Sequence, residues 1–108
     1  MSNLLFNKSV KFNLVSAIEY SEEGIISKQI SRNDSGNVTL FSFDKNQVLS
    51  EHTAPCDAII QILEGEANII IDGQENNLKA GEAIIMPANI SHAVKAVEQF
   101  KMILTMIK

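Results

Sequence analysis

The sequence predicts an all-β protein. Seven short runs rich in Ile, Val and Phe have the length of strands, and none has the apolar spacing of a helix. Clusters of Gly, Asn, Asp and Ser separate these runs at intervals typical of β-sandwiches and barrels. The predicted strands are Ile25–Ile30, Val38–Phe43, Ala58–Leu63, Ala67–Ile71, Ala83–Met86, Ala93–Val97 and Phe100–Ile107.

Two segments refine this prediction. Asp72-Gly73 directly follows an apolar run, which is a strong signal for a tight hairpin because glycine adopts positive φ without cost. The segment Phe12–Tyr20 is compatible with a short helix or with an extended arm.

The 108 residues form one predicted domain, since no repeat or linker divides them. We expect residues 38–107 to form the barrel core and residues 1–30 to form an N-terminal arm. A small barrel exposes strand edges that an arm from a partner subunit can cover, so we expect a homodimer.

Composition excludes several classes of function. Nine Lys and Arg against thirteen Asp and Glu give a net charge of −4, which argues against nucleic-acid binding. The apolar runs are too short to cross a membrane, and polar residues interrupt Met1–Lys8 before a signal-peptide core can form. A lone cysteine, Cys56, cannot form an internal disulfide, and we expect a cytoplasmic protein.

The two histidines, His52 and His92, are the candidate functional residues. They lie 40 positions apart at the ends of predicted strands, so they meet only if their strands face each other across a barrel. The alternative is that each is an ordinary surface or core histidine held by a backbone partner.

Two segments resemble the conserved motifs of the cupin superfamily: residues 46–65 the first motif and residues 81–92 the second. The anchors that match in residue type and spacing are His52, Gly65, Gly81, Pro87 and His92. The resemblance implies a small antiparallel β-barrel, also called a jelly roll or double-stranded β-helix, that holds a metal or a small ligand inside.

The match departs from the family pattern at informative positions. Ala54 and Ala58 stand where the motif has a second His and a Glu, so half of the family's metal-ligand set is missing. Asn46 and Asn89 replace family glycines, a mild change because Asn enters the left-handed region more readily than most residues. Ala96 replaces an Asn.

What remains implies at most a weak metal site at His52 and His92, for a divalent transition metal such as Zn, Ni, Fe, Mn or Cu. A shared ion requires the two ring nitrogens to lie roughly 3–3.5 Å apart. Strand parity allows Cys56 to be a third ligand, in a His₂Cys site; the alternative is a small buried apolar residue.

Strand parity also predicts an apolar pocket wall. If His52 faces inward, so does Ala54, and beyond Pro55 the inward positions are even-numbered. The predicted ligand pocket comprises His52, Ala54, Cys56, Ala58, Ile60, Ile62, Met86 and His92. We expect both rings to lie in this sheltered interior and to bind a small neutral or anionic metabolite.

Three functions remain open. The first is a binding protein without catalysis, in which the histidines form hydrogen bonds with a small-molecule ligand. The second is an enzyme resembling metal-dependent cupins that act as dioxygenases, isomerases or decarboxylases. The third is a metal-free enzyme with one histidine as general base, which lacks a carboxylate of the right parity to orient it.

Overall fold

The computed structural model describes residues 6–108, which form nine strands and no helix. The strands are β1 (Ile25–Asn33), β2 (Gly36–Phe43), β3 (Val48–His52), β4 (Asp57–Glu64), β5 (Glu66–Ile71), β6 (Gln74–Lys79), β7 (Ala83–Met86), β8 (His92–Ala96) and β9 (Phe100–Ile107). Residues 1–5 lie outside the described residues. They are the start of the predicted N-terminal arm and most of the segment Met1–Lys8, which we expect not to be a signal peptide. No helix in the described part of the chain could span a membrane.

The strands form two antiparallel sheets that enclose the core. One sheet has the order β1-β2-β9-β4-β7 and the other β3-β8-β5-β6. Their facing sides supply the buried core, in which the Phe43 and Phe100 rings stack with centroids 4.6 Å apart. This architecture confirms the predicted all-β jelly roll.

All seven predicted strands are present, and two more were missed. The missed strands, β3 and β6, lie at edges of the second sheet and are mostly polar. Each buries few apolar side chains: Leu78 is the buried residue of β6. The predicted hairpin is confirmed, because Ile71 pairs with Gln74 across Asp72 (φ 51°) and Gly73 (φ 78°). Two central residues with positive φ are the signature of a type I′ turn.

The segment before β1 is a series of turns that packs on the outer face of the first sheet. Ile18 is fully buried there, and the Lys101 ammonium donates to the Val15 carbonyl at 2.6 Å. The Tyr20 hydroxyl donates to Glu64 at 2.6 Å, and burial together with this carboxylate raises the pKa of Tyr20 well above its usual range. The described part of the arm therefore covers its own subunit, and the homodimer stays a prediction.

Gly65, in the turn between β4 and β5, is required by a close backbone approach. Its φ is +82°, and a Cβ at this position would lie 1.8 Å from the Gln99 carbonyl oxygen. Gly73 has a similar φ of +78°, but a Cβ there would meet nothing within 4 Å. A side chain at either position would therefore be strained by the positive φ, and only at position 65 would it also clash with the backbone.

We predict that Gly65→Ala lowers the free energy of unfolding by at least about 2 kcal/mol more than Gly73→Ala, because only the first adds a backbone clash to the strain of positive φ. Urea unfolding of both variants measures the difference. Equal destabilisation would show that backbone conformation alone explains the glycine at position 65.

Candidate functional site

The fold brings the two histidines into contact. His52 ends β3, His92 begins β8, and the two residues are register partners in the second sheet. Their Nε2 atoms lie 3.1 Å apart, and the ring centroids are 4.3 Å apart at an interplanar angle of 71°. The expectation that they meet across the barrel is wrong, because β3 and β8 are adjacent antiparallel strands of one sheet.

The two rings differ in burial. His92 is only 5% exposed, whereas His52 is exposed. The prediction of a sheltered interior thus holds for His92 and is wrong for His52. The physical reason is that β3 is an edge strand whose register with β8 is irregular between Leu49 and His52. The His52 ring consequently lies at the rim, against the buried ring of His92.

Hydrogen bonds join the turn that follows β3 to the turn that precedes β8. The backbone N–H of Asn89 donates to the Ala54 carbonyl at 2.7 Å, and the backbone N–H of Ala88 donates to the Asp57 carboxylate at 2.8 Å. Asn89 has a φ of 63°, and Asn46, before β3, has a φ of 70°. The asparagines therefore adopt the left-handed conformation expected where the resembling motifs have glycine, and the turns fix both histidines relative to each other.

Backbone carbonyls orient both rings. Nδ1 of His52 lies 2.7 Å from the Ser50 carbonyl oxygen, and Nδ1 of His92 lies 3.3 Å from that of Ile90. A carbonyl oxygen only accepts hydrogen bonds, so these two contacts favour the tautomer of each neutral ring that carries its proton on Nδ1. Both Nε2 atoms then present lone pairs to each other at 3.1 Å. This contact becomes favourable when the two nitrogens share a proton, a cation or the donor group of a ligand.

The electrostatics of the pair follow from this geometry. Burial lowers the pKa of His92 below its ordinary value, and the positive charge that His52 can carry lowers it further. The Ile90 carbonyl opposes both effects. The pair therefore disfavours a second proton, and His92 stays neutral at a lower pH than an ordinary histidine does.

The residues present do not complete a metal centre. The Nε2 separation of 3.1 Å is within the range required of two nitrogens that share one ion. Within residues 6–108, however, no three His, Cys, Asp or Glu side chains come together in a group that could hold a metal. Cys56 is buried but does not join the histidines, so the His₂Cys alternative is not formed. Two nitrogens are one ligand short of the usual protein set.

The remaining predicted pocket residues lie along β4 and β7. The side chains of Ala58, Ile60, Ile62 and Met86 are buried in the core, and Ala54 is half-buried. Met86 and Met106 flank Ala58 on the two neighbouring strands. Their long, flexible side chains suit the volume that an alanine leaves, so the apolar wall is part of a packed core.

A cavity beside the pair was not predicted from the sequence. It has a volume of about 430 Å³ and lies between β6 and β7. Its lining residues are Ile71, Asp72, Gln74, Asn76, Ile84, Ile85, Pro87 and Ile90. The sequence did contain one signal for this cavity, the Asp72-Gly73 turn, because a hairpin requires a second strand after the turn. Alternation along that strand places Gln74, Asn76 and Leu78 on one face.

Two smaller cavities open elsewhere. One of about 200 Å³ lies at the β1–β2 turn, and one of about 360 Å³ lies beneath Phe6 and Phe12. The linings of these three cavities do not include His52, His92, Ala54 or Ala58. The larger cavity is nevertheless the neighbour of the pair, since Ile71 is the register partner of His92.

We predict that His92 in the metal-free protein titrates below the ordinary histidine value of about 6.5. The unfolded chain then binds this proton at a higher pH than the folded chain does. The free energy of unfolding should therefore be fully maintained above about pH 6.5 and fall as the pH drops below it. NMR titration of the imidazole protons and urea unfolding at two pH values measure both effects.

His52→Ala is the control for this prediction, because an exposed side chain can be removed without opening the core. It should raise the pKa of His92 by removing the neighbouring charge. A His92 that titrates at or above 6.5 would contradict the account.

Comparison with known proteins agrees with the fold and the motifs. The family profile described as Cupin domain matches residues 39–108. A conserved protein of unknown function from Streptococcus pyogenes is 33% identical, with a TM-score of 0.91 over 100% of this chain and 96% of that chain. A cupin superfamily protein from Desulfitobacterium hafniense is 30% identical, with a TM-score of 0.88 over 98% and 95% of the two chains.

A third similar structure is longer. A cupin 2 conserved barrel domain protein from Leptotrichia buccalis is 41% identical, with a TM-score of 0.87, and the match covers 90% of this chain and 47% of that chain. No curated protein matches the sequence significantly. The family match over the two motifs, together with the jelly roll, shows that this chain belongs to the cupin family.

Proposed function

We propose that this cupin binds a small molecule through the paired imidazoles of His52 and His92. The observation that carries the proposal is the 3.1 Å contact between two Nε2 atoms, while each Nδ1 is directed at a backbone carbonyl. Two acceptors aimed at one point are unfavourable alone and become favourable when a single donor satisfies both.

The burial of His92 supports a binding role. His92 is buried, and with the proton of both rings on Nδ1 its Nε2 faces only another acceptor, Nε2 of His52. A buried polar atom without a proper partner costs free energy, about 1–3 kcal/mol in typical cases. Because His52 is exposed at the rim, a ligand from solvent can reach both nitrogens without opening the core.

A metal-dependent cupin enzyme is the second candidate. The separation of the two Nε2 atoms supports it, and the carbonyl contacts of both Nδ1 atoms are the usual outer partners of metal-binding histidines. The incomplete donor set opposes it. A metal-free base mechanism has weaker support, since carbonyls and not carboxylates orient both rings.

The proposal predicts that His52→Ala removes small-molecule binding while the fold is kept. The test dialyses the protein, purified without chelator, against a cell metabolite extract and records bound species by native mass spectrometry. We expect a small organic molecule on the wild-type chain and an occupancy at least about tenfold lower in the variant, equivalent to about 1.4 kcal/mol.

Glu51→Ala is the matched control, because Glu51 is the exposed neighbour of His52 on the same strand. It should bind like the wild type. Equal occupancy in His52→Ala and the wild type would contradict the binding role of the pair. A metal at about one per chain, lost in His52→Ala, would favour the enzyme candidate.

A further inference from the structure

The cavity between β6 and β7 lies where the two sheets fail to close. β6 is the last strand of one sheet and β7 the last strand of the other. We call the cavity between these strands the edge cleft; its volume is about 430 Å³. This volume is within the range of small-molecule sites, about 300–1,000 Å³.

The edge cleft and the histidine pair are separated by two residues that contact both, and neither histidine lines the cleft itself. Ile71 lines the cleft and is the register partner of His92 on the neighbouring strand. Ile90 also lines it, and its carbonyl oxygen lies 3.3 Å from Nδ1 of His92. A molecule in the cleft therefore lies against the same two residues that flank the buried imidazole.

The walls of the edge cleft are apolar and its polar groups are not cationic. Ile71, Ile84, Ile85, Pro87 and Ile90 supply the apolar surface. The other lining residues are two amides and one carboxylate, with no Lys, Arg or His among them. The chain as a whole carries a net charge of −4. An anion in this cleft would meet a carboxylate and no balancing charge.

The amide of Asn76 adds a specific acceptor. Its Nδ2 donates to the Ile69 carbonyl at 3.1 Å and to the Gln74 carbonyl at 3.2 Å. These bonds occupy the donor end of the amide and leave Oδ1 as its acceptor. Asn76 Oδ1 and the Asp72 carboxylate are acceptors, and so is Nε2 of each histidine when the proton is on Nδ1; the Gln74 side-chain amide can donate as well as accept. The cleft and the pair therefore both favour a ligand that carries a donor group.

We propose that the edge cleft holds the apolar body of the ligand, and that this ligand carries a hydrogen-bond donor group, such as an amide, an alcohol or an ammonium, instead of an anionic group. This inference rests on the proposed function, because the histidine pair receives the donor. It narrows the ligand class from neutral or anionic metabolites to metabolites without an anionic group.

The test uses two probes that differ only in their polar group, hexanamide and hexanoate. Isoleucine methyl NMR spectra of the wild-type protein at pH 8 report binding at Ile71, Ile84, Ile85 and Ile90. We expect hexanamide to shift these methyl signals with a Kd on the order of 1 mM, as suits a probe of this size. Hexanoate should bind about fivefold more weakly because of the Asp72 charge.

Asp72→Asn isolates that charge without disturbing the turn. The residue has a φ of 51°, which asparagine tolerates, and Asn-Gly is a favoured type I′ sequence. The variant should bring hexanoate to within about twofold of hexanamide. Asp34→Asn, in the β1–β2 turn, is the matched control for the loss of one negative charge, and it should leave the fivefold preference unchanged.

The outcomes separate this inference from the proposed function. Hexanamide shifts at the cleft isoleucines that weaken in His52→Ala support both. Shifts that His52→Ala leaves unchanged support the edge cleft and contradict the role of the pair. Equal binding of the two probes to the wild type, or no shift at these isoleucines with about 20 mM hexanamide, overturns the inference about the cleft.

Discussion

The candidate site depends on one pairing, that of β3 with β8, which places Nε2 of His52 3.1 Å from Nε2 of His92. Histidines 40 positions apart become neighbours because antiparallel strands bring residues of the same register together. The carbonyls of Ser50 and Ile90 then decide which ring nitrogens remain available. The kind of ligand group that the pair can bind follows from that choice of tautomer.

The turns around the site keep the conformations that this pairing needs, but the chain lacks two of the four metal ligands of the family motif. Asn89 keeps the left-handed turn before β8, and Gly65 keeps the close approach to the Gln99 carbonyl. The positions that would complete a metal set hold Ala54 and Ala58, of which the second is packed into the core. The barrel end therefore combines two imidazole acceptors with an apolar interior. This combination is the basis for our proposal that the pair binds a small molecule, since two nitrogens are one ligand short of the usual protein set for a metal.

Much of the fold could be predicted because its strands bury one face. The alternation that placed Ala58, Ile60 and Ile62 inward follows directly from the pleat, and all three are buried. β3 and β6 were not predicted because these two edge strands are mostly polar and bury too few apolar side chains to leave an apolar pattern. Leu78 alone marks the buried face of β6, and polar side chains of that strand line the edge cleft.

The sequence allowed us to predict which residues form the candidate site, but not how exposed each of them is. The motif resemblance singled out His52 and His92, and their proximity required only that the strands pair. The exposure of His52 depends on the irregular register after Leu49, which local sequence does not encode. The position of Cys56 likewise depends on how the chain turns at Pro55. Its thiol is buried and does not form a three-residue metal-binding group with the two histidines.

The tautomeric state of the two imidazoles tests the central claim most directly. Two-bond ¹H–¹⁵N correlation spectra at pH 8 distinguish a protonated ring nitrogen from one that bears a lone pair. The account predicts that His52 and His92 both carry the proton on Nδ1 and leave Nε2 bare. A proton on Nε2 of either ring would contradict it, because the pair would then satisfy itself through a direct hydrogen bond and present no common acceptor site to a ligand.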